Sequence, residues 1–365
     1  MLIYIDNTIA DYLKNNRFSE QQVLLFSSLA IAYRRGKCII AGNLQSLDAL
    51  IVSFGSPIDG IFRAIRAKYS ENGSFARWAT MAYIITCQEL CETSSNLPAG
   101  LEDKARYLSI EEAQSINWSL GSCLLAENLS DCEFYESIGK HYTKKHRIRN
   151  THICFHREQG GGSDISSVLE KCVTEDAIPT LCLADSDIKF GSTRQFGEAP
   201  KGDTFNSCQS MSNTLIKKGF GLRFAFPSIC VHEIENLVPI SVLNKLGDQY
   251  CSSDGLQILN ALRTVDDGMP ICYYDFKNGI TIDLSTSHGR YWDSVINQTS
   301  IPKGMPNYCS VVNNHFLERL NQFIVDNGLI SIELDISIDS YLVGIWEDLG
   351  KIIFSWGCSV CPMRA

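Results

Sequence analysis

Two stretches decide the fold: SCLLAENLSD at residues 122–131 and TLCLADSD at residues 180–187. Each opens on an apolar run and then turns abruptly acidic. Residues 122–126 and 180–184 read as buried strands. Between them, residues 131–142 read as a helix, 151–155 as a second strand and 165–172 as a second helix. Strands alternating with helices predict an α/β fold. Its core is a Rossmann-like parallel sheet with helices on both faces.

In such sheets, ligands bind beyond the carboxyl ends of the strands. Here the first strand runs into Glu127 and the third into Asp185-Ser186-Asp187. A later apolar run, 224–230, leads to His232-Glu233-Ile234-Glu235-Asn236. Carboxylates gathered at one sheet edge repel, so they take up protons or bind a cation. An oxygen-only donor set suits Mg²⁺ or Mn²⁺. Strand alternation would aim Asp185 and Asp187 to the same side. Ser130 and Glu133 fit a capping box, which puts Asp131 in the first helical turn. There it is either a helix-start acid or a neighbour of Glu127. Gly160-Gly161-Gly162 permits a tight turn with positive φ.

Outside this region, residues 19–22 form a capping box ahead of an apolar helix, and a short strand follows at 38–41. Helical patterning returns at 47–54, 62–69 and 75–91, and the tract 93–100 is the best linker candidate. This gives a mixed, helix-rich N-terminal domain at 1–115, an α/β domain at 116–250 and an extension at 251–365. In the extension, 271–275 and 280–284 flank Lys277-Asn278-Gly279, a hairpin signal, and helices are expected at 291–296, 313–325 and 340–353. There is no 18-residue apolar run, so no membrane span is expected. The N-terminus lacks a basic segment followed by an apolar one. With 15 scattered cysteines, the chain reads as a cytoplasmic protein with reduced thiols. Cys358 and Cys361 form one CxxC; a structural zinc needs four ligands, and Cys87 and Cys91 are the other candidates.

The net charge is −9, yet Lys144, Lys145, Arg147 and Arg149 lie in a basic stretch free of acids. With Lys201, they are the candidate nucleic-acid contacts; the alternative is a solvated helix end and loop.

The order of Glu127-Asn128-Leu129-Ser130-Asp131, the three glycines, Asp185-Ser186-Asp187 and Glu233-Ile234-Glu235-Asn236 resembles a Toprim domain. It is most similar to the Toprim nuclease half of the OLD (overcoming lysogenization defect) family and related anti-phage effectors. The resemblance covers about residues 118–245. Asn128 stands where glycine is common, and a left-handed asparagine would preserve the turn. Leu237 stands where tyrosine is common. The resemblance implies a Mg²⁺- or Mn²⁺-dependent endonuclease with two ions, acting on DNA or RNA. Asp185 and Asp187 would bind metal, Glu127 would be a ligand or general acid-base, and Asp131 and Glu235 would serve a second ion. Lys189, Arg194 or Lys201 would neutralise developing charge. The chain has no Walker A motif, so a separate ATPase or sensor partner is implied. A homo-oligomer is compatible with this reading. The alternative is a non-catalytic Toprim-like scaffold that binds nucleic acid or protein.

Overall fold

The computed structural model describes residues 1–87, 97, 100–101, 103–247, 250–313, 315–328 and 339–363. It is an α/β protein with two four-stranded parallel sheets. The first begins with β1 (Leu2–Ile5), followed by α1 (Thr8–Asn15) and α2 (Glu20–Arg34). Then come β2 (Ile39–Gly42), α3 (Leu44–Ser53), α4 (Ile58–Ala67) and α5 (Tyr69–Ser74). β3 (Ala82–Thr86), β4 (Ala105–Ser109) and α6 (Ile110–Gln114) complete it, in the strand order β2-β1-β3-β4. The first region is therefore itself a parallel α/β layer. Over 75–87, the described part of the helix expected at 75–91, the chain forms a 3-10 turn and β3. Ala82–Thr86 is buried on both sides, so it carries no alternation to mark it as a strand. Cys91 and most of the linker tract 93–100 lie outside the described residues.

The second sheet has the order β7-β5-β8-β9. Its elements are β5 (Cys123–Ala126), α7 (Leu129–Lys145), β6 (Thr151–Ile153), β7 (His156–Gln159), α8 (Ile165–Thr174) and β8 (Thr180–Cys182). α9 (Asp203–Lys217) and β9 (Phe224–Ala225) follow. Side chains alternate across it. Cys123, Leu125 and Cys182 join α8 and α9 in one cluster, while Leu124, Ala126 and Leu181 join the main core. Helices thus cover both faces. The strand expected at 151–155 is divided. Residues 151–153 pair antiparallel with the last strand, and only β7 enters the sheet, through the bond from His156 N–H to Ser122 O.

The rest holds α10 (Ile240–Leu246), α11 (Ser253–Leu262), β10 (Ile280–Thr281), α12 (Ser287–Ile296), β11 (Asn307–Tyr308), α13 (Phe316–Asn327), α14 (Ser340–Gly357) and β12 (Cys358–Val360). The expected hairpin does not form. Residues 271–273 end a 3-10 segment, and β10 pairs with β11. The cause is Asp275, whose Oδ1 accepts the N–H groups of Lys277 and Asn278 and turns the chain early. Among the described residues, no helix is long and apolar enough to cross a membrane, and no cysteine is in a disulfide.

α7 and α14 pack at close range because each offers a glycine. A Cβ on Gly139 would lie 2.6 Å from Ile353 Cγ2, and one on Gly350 would lie 2.7 Å from Tyr142 Cβ. Overpacking such a contact costs about 1–3 kcal/mol. Gly139→Leu is expected to destabilise the protein by about 2–3 kcal/mol in urea denaturation. An unchanged midpoint would show that the close approach contributes nothing.

Candidate metal centre

The carboxyl ends of β5 and β8 lie side by side, with Leu125 opposite Cys182 and Leu183 N–H bonded to Leu125 O at 2.9 Å. Parallel pairing thus delivers Glu127 and Asp185 to the same edge. Gly160 and Gly161 complete the adjoining turn, donating to Ala126 O and Glu127 O. Gly161 and Gly162 have φ of 65° and 68°. A Cβ on Gly160 would collide with Ile165, so α8 starts tight against the turn.

Helix α7 presents the third acid. Its N-cap is Asn128, not the expected Ser130. Asp131 accepts the Asn128 N–H at 3.0 Å, and Asn128 is extended (φ −132°) instead of left-handed. Arg157 of β7 fastens the helix, with Nη1 2.7 Å from Glu133 and Nε 2.8 Å from Glu136.

The fourth acid comes from the 233–236 turn. Asn236 is fully buried, accepts the Glu233 N–H and donates to Ile271 O and Tyr274 O. The turn is tied to the sheet edge by Ile234 N–H, which donates to Asp185 Oδ1 at 2.9 Å. Glu233 and Glu235 are both buried. Asp185, Glu233 and Glu235 each offer an oxygen, and all three lie within 4.8 Å of one another.

Lys277 enters opposite them. Its Nζ is 2.9 Å from Glu233 Oε2 and 3.1 Å from Glu235 Oε2. Gly279, at φ 76°, closes the turn that carries it, and a Cβ there would collide with Tyr308 O. Lys277 was missed as a site residue because its KNG turn imitates a hairpin. Glu233 was visible beside Glu235 but was not assigned a role.

Glu127, Asp131, Asp185, Glu235 and Lys277 line one cleft of about 310 Å³, bordered by Phe316 and Leu317 of α13. Asn321 of α13 donates to Ser130 O and holds that wall in place. Burial raises the Asp185 carboxyl well above its ordinary range, and the charges of Glu235 and Glu127 add to this. Burial also raises Glu127, helped by Asp131 and Asp187, and it raises Asp131. Glu235 is pushed up to about 7 by burial and by Glu233. Burial opposes the charge of Lys277, but Glu235, Glu233 and Asp185 outweigh it and strengthen its hold on the proton. Five carboxylates face one ammonium, and Glu318 and His315 also line the cleft, so the donors are mostly hard oxygens. Such a set could hold a hard divalent cation.

The other expected residues lie elsewhere. Regular pairing of β8 ends at Cys182, so strand alternation does not govern Asp187. That residue is left-handed (φ 52°), donates its N–H to His232 O and packs its carboxylate against Gly202. It does not line the acidic cleft. Lys201 donates to Ser228 Oγ and lies over the Phe205 ring. Lys189 and Arg194 are exposed. Lys144, Lys145, Arg147 and Arg149 sit at or beyond the far end of α7, about 20 Å from Asp131 at 1.5 Å per residue. Lys145 is engaged by Glu347 at 2.6 Å. The basic stretch therefore does not flank the acids. His232 touches Asp275, with Nε2 3.6 Å from Oδ2. Compared with known protein families, curated proteins and solved structures, the chain matches none.

Proposed function

We propose that the chain is a Toprim-like, metal-dependent nuclease that hydrolyses phosphodiesters of DNA or RNA. The observation that carries this reading is the meeting of Glu127, Asp131, Asp185 and Glu235, from three separate stretches, in one cleft at the carboxyl ends of a parallel sheet. Asp185, Glu233 and Glu235, whose oxygens lie within 4.8 Å of one another, would hold one ion, and Asp131 would serve a second. A bound divalent ion would polarise the phosphoryl oxygen and favour hydroxide at neutral pH. Glu127, held above its ordinary pKa, can carry a proton to the leaving oxygen. Lys277 supplies a fixed positive charge for the developing negative charge. The motif order also supports a defence effector controlled by a separate ATPase or sensor partner, in a cytoplasmic setting.

The test is purified chain with Mg²⁺ or Mn²⁺ against supercoiled plasmid and total RNA, with EDTA as control. Metal-dependent cleavage of either substrate is expected. No cleavage of any substrate with either metal, or cleavage indifferent to EDTA, would overturn the proposal for the isolated chain.

A non-catalytic scaffold is the second reading, and Lys277 favours it, because its ammonium already supplies a cation to Glu233 and Glu235. Thermal unfolding separates the two. A resident divalent site predicts that Mg²⁺ at about 100 times its Kd stabilises the fold by about 2.7 kcal/mol. A scaffold neutralised by Lys277 alone predicts no shift.

A further inference from the structure

The first sheet carries a cavity of its own. It measures about 550 Å³ and opens beyond the carboxyl ends of β1 and β2. Tyr4, Asn43, Tyr69, Ser70, Gly73 and Arg77 are among its lining residues. That volume lies within the range of small-molecule sites, about 300–1,000 Å³. Its position is where parallel α/β sheets place ligands.

Two of its walls are held by hydrogen bonds. Asn72 of α5 is buried and donates to Ile40 O at 2.8 Å, which holds α5 against the edge of β2. Asn43 caps α3 by accepting the Gln45 N–H at 2.9 Å. Gly73 has nothing within 4 Å of the position a Cβ would take, so the space beside it is open. Tyr69 is 44% exposed and lines the cavity.

Basic groups gather at one side of the cavity, with Glu71 of α5 among them. Arg77 lies over Trp78, 5.4 Å from the ring centroid. The Trp78 ring meets His146 at 5.0 Å, and Tyr142 Oη donates to Trp78 O. Asn150 donates to Glu71 of α5. These contacts bring the turn bearing Arg147 and Arg149 beside the wall of the cavity. Arg77, Arg147 and Arg149 are exposed, and none of the three has an acidic partner among the described residues. Arg157, by contrast, is engaged by Glu133 and Glu136. Unpaired guanidinium groups at the rim of a cavity match a phosphate, which they bind in a planar fork. An aromatic ring beside them matches a planar base.

We propose that this cavity binds a mononucleotide, with its phosphate at Arg77 and its base against Tyr69. The site is separate from the acidic cleft and does not depend on the nuclease reading. It gives the basic turn a role that its distance from the acids denies it in cleavage.

The experiment is isothermal titration of the full chain with ATP, GTP, adenosine and inorganic phosphate. EDTA is present throughout, so that the acidic cleft cannot recruit a metal–nucleotide complex. A nucleoside triphosphate is expected to bind at one site, with adenosine and phosphate each weaker by about tenfold or more. Arg77→Glu should weaken nucleotide binding by at least about tenfold. Gly73→Leu, which fills the open space, should abolish binding without lowering the melting temperature. Asp185→Asn should leave binding unchanged. The proposal falls if neither nucleotide binds at about 1 mM or if binding survives both Arg77→Glu and Gly73→Leu. It also falls if Asp185→Asn removes binding, or if a single-stranded oligonucleotide binds while mononucleotides do not.

Discussion

Asp185→Asn is expected to lower cleavage by about 10³-fold or more, because it removes a charged ligand worth several kcal/mol to a metal-stabilised transition state. The fold should survive. Asparagine keeps an oxygen for the Ile234 N–H that Asp185 now accepts. It also relieves repulsion. Burial raises Asp185, Glu127, Asp131 and Glu235 above their ordinary values, so each holds its proton more tightly folded than unfolded. Metal-free protein therefore loses stability as pH climbs from the ordinary glutamate value of 4.5 towards about 7, where Glu235 titrates. Divalent metal should reverse that loss in the native protein. Metal-free Asp185→Asn should show a shallower decline and a melting temperature at pH 8 no lower than that of the native chain. Cleavage within tenfold of native would remove Asp185 from the chemistry.

Lys277→Met is expected to damage both stability and activity, with a pH signature. It leaves Glu233 and Glu235 buried without their cation. Breaking a fully buried pair costs about 3–5 kcal/mol. The Lys277 side chain is 45% exposed, so solvent screening reduces this to about 2 kcal/mol at pH 8. At pH 5, Glu235 is protonated and the loss should shrink. Cleavage should fall by about 10²–10³-fold, the range for removing one preorganised stabilising group. Lys277→Arg should retain most of the stability. Equal destabilisation at pH 5 and pH 8 would show that the ammonium does not neutralise these carboxylates.

β5 and β8 of the second sheet were legible because they are short, apolar and buried, and because acids follow both at once. Glu127 and Asp185 needed only that pattern. Asp131 needed a helix start, which local spacing supplied even though the cap was misplaced by two residues. What local patterning missed is held by distant partners. Lys277 is a turn residue until Glu233 and Glu235 are known to face it. The strand at 82–86 lacks alternation because neighbours cover both its sides. β6 looked like part of the central sheet because its actual partner, β12, lies far along the chain. Asp187 was assigned from strand periodicity, and that rule ends with regular pairing at Cys182.

The pairing of β6 with β12 sets an order of events during synthesis. The Ser359 hydroxyl bonds to His152 O across 207 positions, and α14 covers the face of α7 at Gly139 and Tyr142. A ribosome adding about 5–20 residues per second needs roughly 10–40 s to cover that interval. Until then the helix carrying Asp131 lacks its cover, and the edge at 151–153 is open to any passing strand. The acidic cleft therefore closes late, after the C-terminal strand has been made and has paired with residues 151–153.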